Sequence, residues 1–198
     1  DVLNVGIGYG TWDERLAERQ GAGGSTTVSL DISRHLVAEF ASRYPRIDYV
    51  CTDVFDYRPR RKFGTIVASH FLEHVDDPVR LLRLFRSWLQ PAGRILVVVP
   101  NAESIHRQLG QKMGLLAALT DLNDADRLLG HKRVYTRRAL EDDIGAAGRF
   151  SVRSMEGLTF KPLANAQLAS MPRAYVDACL GLHPGDAACQ LGAELVAR

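Results

Sequence analysis

The chain opens with Asp1-Val-Leu-Asn-Val-Gly-Ile-Gly-Tyr-Gly10-Thr-Trp-Asp-Glu14, in which a short apolar run is followed by three closely spaced glycines. The apolar run suits a strand that is buried on both faces, as in a parallel sheet. The glycines lack the Cβ atoms that would keep a ligand away from the backbone. Thr11 and Glu14 have the spacing of a capping box, which predicts a helix whose first N–H groups face the ligand. The stretch therefore predicts a nucleotide-binding turn.

The spacing of Gly6, Gly8 and Gly10 indicates which class of nucleotide ligand the turn can bind. A dinucleotide fingerprint, G-x-G-x-x-G, would need a third glycine where this chain has Thr11. No Gly-Lys-Ser/Thr sequence follows, which excludes a phosphate-binding P-loop. A strand that ends in a glycine turn can also be purely structural, so the interpretation depends on the residues that follow.

Two acidic residues follow at positions that suit a nucleoside. Asp31 ends a second predicted strand, 26–30, about 20 residues beyond the glycines, where a carboxylate can bind both hydroxyls of a ribose. Asp53 follows a third predicted strand, 47–51, within reach of an adenine amino group. Either acid could instead cap a helix or hold a turn. Their combination with the glycines favours a nucleoside ligand.

Five motifs in this order resemble those of the class I S-adenosylmethionine-dependent methyltransferases. They are Leu3-Asn-Val-Gly-Ile-Gly-Tyr-Gly10, Ser29-Leu-Asp31, Cys51-Thr-Asp-Val54, Thr65-Ile-Val-Ala-Ser-His-Phe-Leu-Glu-His-Val-Asp-Asp-Pro78 and Leu89-Gln-Pro-Ala-Gly-Arg-Ile-Leu-Val-Val-Val-Pro-Asn101. Gly130-His-Lys-Arg-Val-Tyr-Thr136 and Ala193-Glu-Leu-Val-Ala197 are similar to the small-molecule branch of that family. The resemblance implies S-adenosyl-L-methionine as cofactor, S-adenosyl-L-homocysteine as product, and an oxygen or nitrogen atom of a small molecule as methyl acceptor.

The resemblance also implies which residues contact the cofactor. They are Asn4, Gly6, Gly8, Gly10, Asp31, Ile32, Asp53, Val54, Ser69 and His70. An acid is common in the family at the position of Asn4. An amide can accept a hydrogen bond but carries no charge, so electrostatic help to the ligand's ammonium group has to come from another residue.

The order of the predicted elements indicates an α/β fold. Strands near 1–7, 26–30, 47–51, 64–69 and 94–99 alternate with helical stretches, which is typical of a doubly wound parallel sheet. Helices are predicted over 33–43, over 78–89 behind Asp77 as N-cap, and over 137–147. Strands near 150–158 and 191–197 complete a mostly parallel seven-stranded sheet in one domain, 1–198. The resemblance implies that the last strand is antiparallel.

Between 101 and 132 this alternation stops, and we predict a helical lid inserted after the fifth strand. Residues 104–119 have helical apolar spacing broken at Gly110 and Gly114, and 121–129 predicts another helix. An insertion at this point lies over the crevice where ligands bind in such folds. The alternative is that Met113 and its apolar neighbours pack against the body of the domain.

Methyl transfer requires few catalytic side chains, because the enzyme mainly aligns the acceptor and excludes water. A protonated acceptor needs a base, for which histidine is suited. His131, His70 and His106 are the candidates. His131 or His106 is preferred, because the resemblance implies that His70 contacts the methionine end of the cofactor, and His74 is predicted to hold its loop. Arg107, Arg133 and Tyr135 are predicted to bind the acceptor. Basic residues outnumber acidic ones over 101–140, which predicts an anionic acceptor such as a nucleotide-linked sugar or a natural-product acid; the alternative is a solvated lid surface.

The composition of the chain restricts the classes of partner and compartment that need to be considered. A net charge of +2 is too small to indicate a nucleic-acid partner, and the longest apolar stretches are of strand length, so no membrane partner or signal peptide is predicted. Three cysteines without C-x-x-C spacing fit a reducing cytoplasm, and no metal site is predicted. We expect a monomer or homodimer, and the resemblance implies helices ahead of the first strand in a longer native chain. A Rossmann-type nucleotide-dependent oxidoreductase and a non-catalytic cofactor-binding module remain as alternatives.

Overall fold

The computed structural model describes residues 1–19, 26–163, 165–182 and 185–198. Within them seven strands form one sheet, in the order β3-β2-β1-β4-β5-β7-β6. The strands are β1 (Val2–Val5), β2 (Thr27–Asp31), β3 (Asp48–Cys51), β4 (Phe63–Ser69), β5 (Leu89–Pro100), β6 (Phe150–Leu158) and β7 (Gln190–Ala197). Strands β1 to β5 pair in parallel, and β7 is antiparallel to both of its neighbours. The predicted doubly wound, mostly parallel seven-stranded sheet is confirmed.

The helices begin and end at recognisable residues. They are α1 (Thr11–Arg19), α2 (Arg34–Arg43), α3 (Pro78–Trp88), α4 (Ile105–Lys112), α5 (Asp124–Leu128), α6 (Arg137–Ala147), α7 (Asn165–Leu168) and α8 (Arg173–Leu180). Asp77 caps α3 with its side-chain oxygen, as predicted. Ser33, predicted as the first residue of a helix over 33–43, instead caps α2 and accepts from Leu36 N. Thr11 lies inside α1, one position later than a capping box requires, because the Gly10 carbonyl already accepts from Glu14 N.

The start of β5 differs from the prediction. Leu89 was expected to end α3, but it pairs with Phe63 at the start of β4. The pairing then shifts and resumes at Thr65 and Arg94, so that residues 90–93 form an irregular segment between the two parts of the strand. A cross-strand pair of this kind depends on tertiary contacts, and helical apolar spacing alone does not reveal it.

The core lies between the central strands and the helices α3 and α6. Its fully buried side chains include Leu3, Ile66, Ile95, Leu81, Phe85 and Leu140. These apolar contacts fix the strands side by side, so that the carboxyl ends of β1, β2, β3 and β4 meet at one edge. Because β7 pairs with β5, the end of the chain joins the same sheet.

The segment 101–132 leaves and rejoins the body at one point. Asn101 and Tyr135 form an isolated bridge, and Ala102 N donates to the Tyr135 carbonyl over 2.7 Å. Gly110 lies within α4 and does not break it, whereas Gly114 follows the helix with a φ of +74°. Met113 is 72% exposed, so its side chain does not pack into the core as the alternative requires. A lid role for this segment stays a prediction.

Across the described ranges, no helix is both long enough and apolar enough to cross a membrane.

Candidate functional site

The glycine loop, residues 6–10, leaves the sheet between β1 and β4, where the strand order reverses direction. Gly6 and Gly10 have φ values of +85° and +75°, and both are closely packed. A Cβ atom at Gly10 would lie 1.8 Å from the ring of Phe40, and one at Gly6 would lie 2.8 Å from Phe71. A Cβ atom at Gly8 would meet no described heavy atom within 4 Å. Gly8 therefore leaves open space against the backbone, as a ligand cradle requires.

Asp31 joins the end of β2 to this loop. Its Oδ2 atom accepts a hydrogen bond from Ile7 N over 2.8 Å, and its Oδ1 atom accepts from Ser33 N over 2.8 Å. Each carboxylate oxygen can accept a second hydrogen bond, so the side chain still has capacity for a pair of hydroxyls. Ile32, the next residue, is 70% exposed and offers an apolar surface beside it.

The end of β3 lies beside the end of β2. Thr52 N donates to the Asp31 carbonyl over 3.0 Å, which brings the two strand ends together. Asp53 is exposed, and its Oδ1 atom accepts from Phe55 N over 2.8 Å. Val54 is buried, so its side chain belongs to the core. The structure thus gathers the glycine loop and both predicted acids at one edge.

A buried polar cluster lies at the base of the glycine loop, and the sequence did not predict it. Asn4 Nδ2 donates to Asp13 Oδ2 over 3.0 Å and to Ser29 Oγ over 3.2 Å. Asn4 and Asp13 are fully buried, and burial raises the pKa of Asp13 above its usual range. Burial and the nearby Asp13 also raise the pKa of Tyr49. Asp13 thus places a carboxyl group next to the amide that stands where relatives often carry an acid.

His70 directly follows β4 and has a φ of +52°, a strained conformation for a residue other than glycine. Its Nδ1 atom lies 3.1 Å from Glu73 Oε1, and its Nε2 atom lies 2.8 Å from Gln190 Nε2. Since an amide nitrogen only donates, Nε2 is the acceptor and Nδ1 carries the proton that is donated to Glu73. This pairing holds the imidazole with its basic nitrogen directed away from Glu73. Ser69, the last residue of β4, is half-buried beside it.

His131 is also brought to the segment that follows β4. Its ring lies edge-on to that of His74, with the centroids 4.9 Å apart. Its Nδ1 atom is 3.4 Å from Asp126 Oδ1. The pKa of His131 is lowered, mainly because the imidazole is buried.

His106 lies on α4, beside Arg107 and Lys161. Burial, together with these two positive charges, lowers its pKa to about 4. It is therefore a weaker proton acceptor than an ordinary histidine.

The three residues predicted to bind the acceptor all direct their polar groups into the protein. Arg107 donates to Asp126 Oδ2 over 3.0 Å and to the carbonyls of Leu119 and Asp121. Arg133 donates to two consecutive carbonyls between β4 and α3, at Val75 over 2.8 Å and at Asp76 over 3.1 Å. Tyr135 is buried and donates its hydroxyl to Asp143 over 3.0 Å. These contacts indicate that all three residues position the segments around the site.

An open depression of about 720 Å³ lies at the opposite edge of the sheet, near the amino ends of β1 and β4. Its lining includes Asp1, Gly64, Arg94 and Glu194. Ligands of open α/β sheets bind at the carboxyl ends of the strands. The glycine loop and the acids at that edge are therefore the better candidate site.

Sequence similarity to a known protein family extends over most of the chain. A family model described as a methyltransferase domain matches residues 1–151. A ubiquinone biosynthesis O-methyltransferase from Coxiella burnetii is 29% identical over 106 residues, which cover 50% of this chain and 43% of that protein. The match thus spans less than half the length of this relative.

Solved structures resemble the whole described fold. An S-adenosylmethionine dependent methyltransferase from Mesorhizobium loti has a TM-score of 0.69 at 19% identity, covering 98% of this chain and 89% of its own. The plantazolicin methyltransferase BpumL, in complex with a pentazolic desmethylPZN analog and SAH, has a TM-score of 0.65 at 16% identity, covering 100% and 76%. At these identities the likeness shows the fold.

Proposed function

Because this chain belongs to the methyltransferase-domain family, we propose that it binds S-adenosyl-L-methionine and transfers the methyl group to an oxygen or nitrogen atom of a small molecule. The observation that carries the proposal is the 2.8 Å hydrogen bond from Ile7 N to Asp31 Oδ2. It joins the open glycine loop to the acid that suits a ribose. When bound, the cofactor supplies a methyl group already activated on a sulfonium, and S-adenosyl-L-homocysteine is the product.

Different residues at this edge of the sheet contact different parts of the cofactor in this proposal. The glycine loop, with its open position at Gly8, suits the methionine part, and Ser69 with His70 lies at the same end. Asp31 binds the ribose hydroxyls beside the exposed face of Ile32, and Asp53 with the backbone of Val54 lies at the adenine. Asn4 lies at the base of the loop and supports the cofactor site through its hydrogen bond to Asp13.

The segment 101–132 acts as the lid in this proposal. It is joined to the body by the bridge between Asn101 and Tyr135 and by the hydrogen bond from Lys132 N to the Glu73 carbonyl. Met113 and Leu115 are among its exposed apolar side chains. An acceptor beneath such residues is shielded from water, as methyl transfer requires.

Among the three histidines, the geometry favours His70 as the group that removes the acceptor's proton. Glu73 fixes its tautomer, and its basic Nε2 atom lies 2.8 Å from the side-chain amide of Gln190, which an acceptor can displace. His106 is disfavoured by its pKa of about 4, and His131 lies against Asp126.

Separate observations support the type of acceptor atom and the charge of the acceptor molecule. The name of the Coxiella burnetii relative favours an oxygen acceptor. For an anionic acceptor, the structure turns Arg107 and Arg133 inward, which leaves the exposed Lys112 and Arg127 as the supporting charges. The free thiols of Cys51, Cys179 and Cys189 are compatible with a reducing cytoplasm, where a monomer or homodimer would meet such an acceptor.

The experiment that tests the function uses two matched glycine variants. Gly8 and Gly148 both have positive φ values, +54° and +68°, and a Cβ atom at either meets no described atom within 4 Å. Both alanine variants place a side chain at a positive φ, and Gly148 also has a ψ of 160°, but only Gly8→Ala places a methyl group in the cradle. Calorimetry with S-adenosylmethionine should show at least a tenfold loss of affinity for Gly8→Ala and little change for Gly148→Ala.

A labelled methyl donor, incubated with a panel of phenols, carboxylic acids and amines, then identifies the acceptor. Absence of cofactor binding by the unaltered protein would overturn the proposal, and binding of a nicotinamide nucleotide instead would indicate the oxidoreductase. Binding without methyl transfer to any acceptor would indicate a non-catalytic module.

A further inference from the structure

Glu73, His74 and His131 form a cluster in which one ligand atom of each residue lies within 4.8 Å of the others. We propose that this cluster binds a divalent metal ion of the zinc class. Two imidazoles and one carboxylate are a common ligand set for such ions. The sequence predicts no metal site on the basis of its cysteine spacing, and this cluster contains no cysteine.

Backbone and side-chain contacts fasten together the two segments that carry the cluster. Lys132 N donates to the Glu73 carbonyl over 2.8 Å. Arg133 donates to the carbonyls of Val75 and Asp76, and the Lys132 ammonium pairs with the Asp76 carboxylate. His131 is thereby held beside Glu73 and His74, although the chain separates them by the whole of α3, β5 and the lid segment. A site that a metal can enter has to be positioned in this way before the ion arrives.

Glu73 has the environment of a carboxylate that lacks one partner. The residue is fully buried, and its Oε1 atom is paired with His70. Its Oε2 atom is buried and has no hydrogen-bond partner within the described residues. A buried charged oxygen without a partner is costly, and a metal ion at Oε2 would satisfy it.

An acidic residue lies beside His131. The His131 Nδ1 atom is buried without a hydrogen-bond partner among the described residues, and it lies 3.4 Å from Asp126 Oδ1. Asp126 is itself fixed, because its Oδ2 atom accepts from Arg107 and from Asn123 N, each over 3.0 Å. A metal-bound histidine usually donates its other ring N–H to a carboxylate, a backbone carbonyl or water, and Asp126 is close enough to His131 to accept such a hydrogen bond when a metal binds.

The ligand types and distances select the ion. Zinc bonds to nitrogen and oxygen ligands measure about 2.0 to 2.2 Å, so the three side chains need to approach one another by about 1 Å or more on binding. Imidazole nitrogens favour Zn²⁺ and Co²⁺ over Mg²⁺ and Ca²⁺. Three protein ligands leave at least one coordination position open, as in catalytic sites. Resting on the proposed function, that position would accept an acceptor oxygen at the carboxyl end of β4 and lower its pKa.

The test measures metal binding alone, without cofactor or acceptor, so its outcome is independent of the proposed function. The full chain is stripped with a chelator and dialysed against ZnCl₂, CoCl₂ or MgCl₂. We expect one Zn²⁺ or Co²⁺ per chain, with Mg²⁺ bound at least a hundredfold more weakly. Glu73→Gln, His74→Gln and His131→Gln should each weaken Zn²⁺ binding at least tenfold. His35→Gln is the matched control, since His35 pairs with Glu39 on the exposed face of α2 at 3.8 Å.

Two further measurements keep the result interpretable if Glu73→Gln does not fold. Zn²⁺ should raise the unfolding temperature of the unaltered chain, because a ligand that binds only the folded state stabilises it. The visible absorption of bound Co²⁺ should change in His74→Gln, whose side chain is only partly buried. Lack of stoichiometric Zn²⁺ or Co²⁺ binding by the unaltered chain at millimolar metal would overturn the proposal. Binding that is equally strong in the His74 and His131 variants would do the same.

Discussion

Asn4 Nδ2 donates a hydrogen bond to Asp13 Oδ2 over 3.0 Å, which joins the two residues that flank the glycine loop. Both are fully buried. The amide belongs to β1 and the carboxyl group to α1, so the contact fixes how the helix leaves the strand. It also places an acid at the base of the loop, although the strand position itself carries no charge.

We predict that Asn4→Asp destabilises the protein by about 3 kcal/mol, because it sets two buried carboxylates against each other without a counter-charge. Urea unfolding measures the free energy. The reversed pair, Asn4→Asp combined with Asp13→Asn, should recover most of the loss, since it restores one amide and one acid. If the double variant is no more stable than Asn4→Asp alone, the two side chains do not act as a pair.

Asp31→Ala should weaken S-adenosylmethionine binding at least tenfold, because hydrogen bonds from hydroxyls to a charged group contribute about 1.5 to 3 kcal/mol. The structure adds a second effect: the same carboxylate accepts from Ile7 N and Ser33 N, so stability should also fall, by about 1 to 2 kcal/mol. Asp31→Asn keeps one acceptor oxygen and separates the two effects. Calorimetry that shows unchanged cofactor affinity in both variants would remove the ribose assignment.

The sequence is sufficient for most of the sheet, because central strands such as β1 and β4 are short apolar runs and Asp77 marks where α3 begins. It is insufficient where pairing between distant segments decides the structure. Leu89 has the spacing of an α3 residue, yet its pairing with Phe63 starts β5. The spacing of apolar residues along the chain cannot predict a contact between two distant strands.

The candidate site shows the same division. The glycine loop, Asp31 and Asp53 are predictable because each lies at a strand end, and a parallel sheet brings strand ends together. The role of Asp13 is not predictable, because an acid in the first turn of a helix is equally explained by the helix dipole. Arg107 is a positive charge in the sequence, but only the structure shows that carbonyls and Asp126 surround it.

His70→Gln is predicted to lower kcat about 100-fold at saturating cofactor, the size expected for a positioned general base. His106→Gln, which removes a histidine that is a weak base, should change kcat only severalfold. Rates are measured with saturating cofactor once an acceptor is known. Equal, small effects in the two variants would exclude both as the base, and a larger effect at His106 would reverse the order proposed here.

His106 should make the stability of the lid depend on pH. Its pKa of about 4 in the folded chain lies below the unfolded value of 6.5, so between these values the unfolded state binds more protons. The free energy of unfolding is therefore expected to fall as pH decreases from 6.5 toward 4, by about 2 to 3 kcal/mol for this group. Urea unfolding of His106→Gln should lack this part of the dependence, whereas the exposed-site variant His35→Gln should retain it. Identical pH profiles for His106→Gln and the unaltered chain would contradict the assignment.

Arg107→Ala tests whether the lid's most buried arginine supports structure or binds the acceptor. The substitution leaves Asp126 as a buried carboxylate without its guanidinium partner and removes donors from the Leu119 and Asp121 carbonyls. Loss of one partner from a buried pair costs about 3 to 5 kcal/mol, and urea unfolding should show a loss of this order. Arg127→Ala, at an exposed position of the same segment, should change stability by no more than about 0.5 kcal/mol. If Arg107 instead binds an anionic acceptor directly, its alanine variant will unfold at the same urea concentration as the unaltered chain while KM for the acceptor rises sharply.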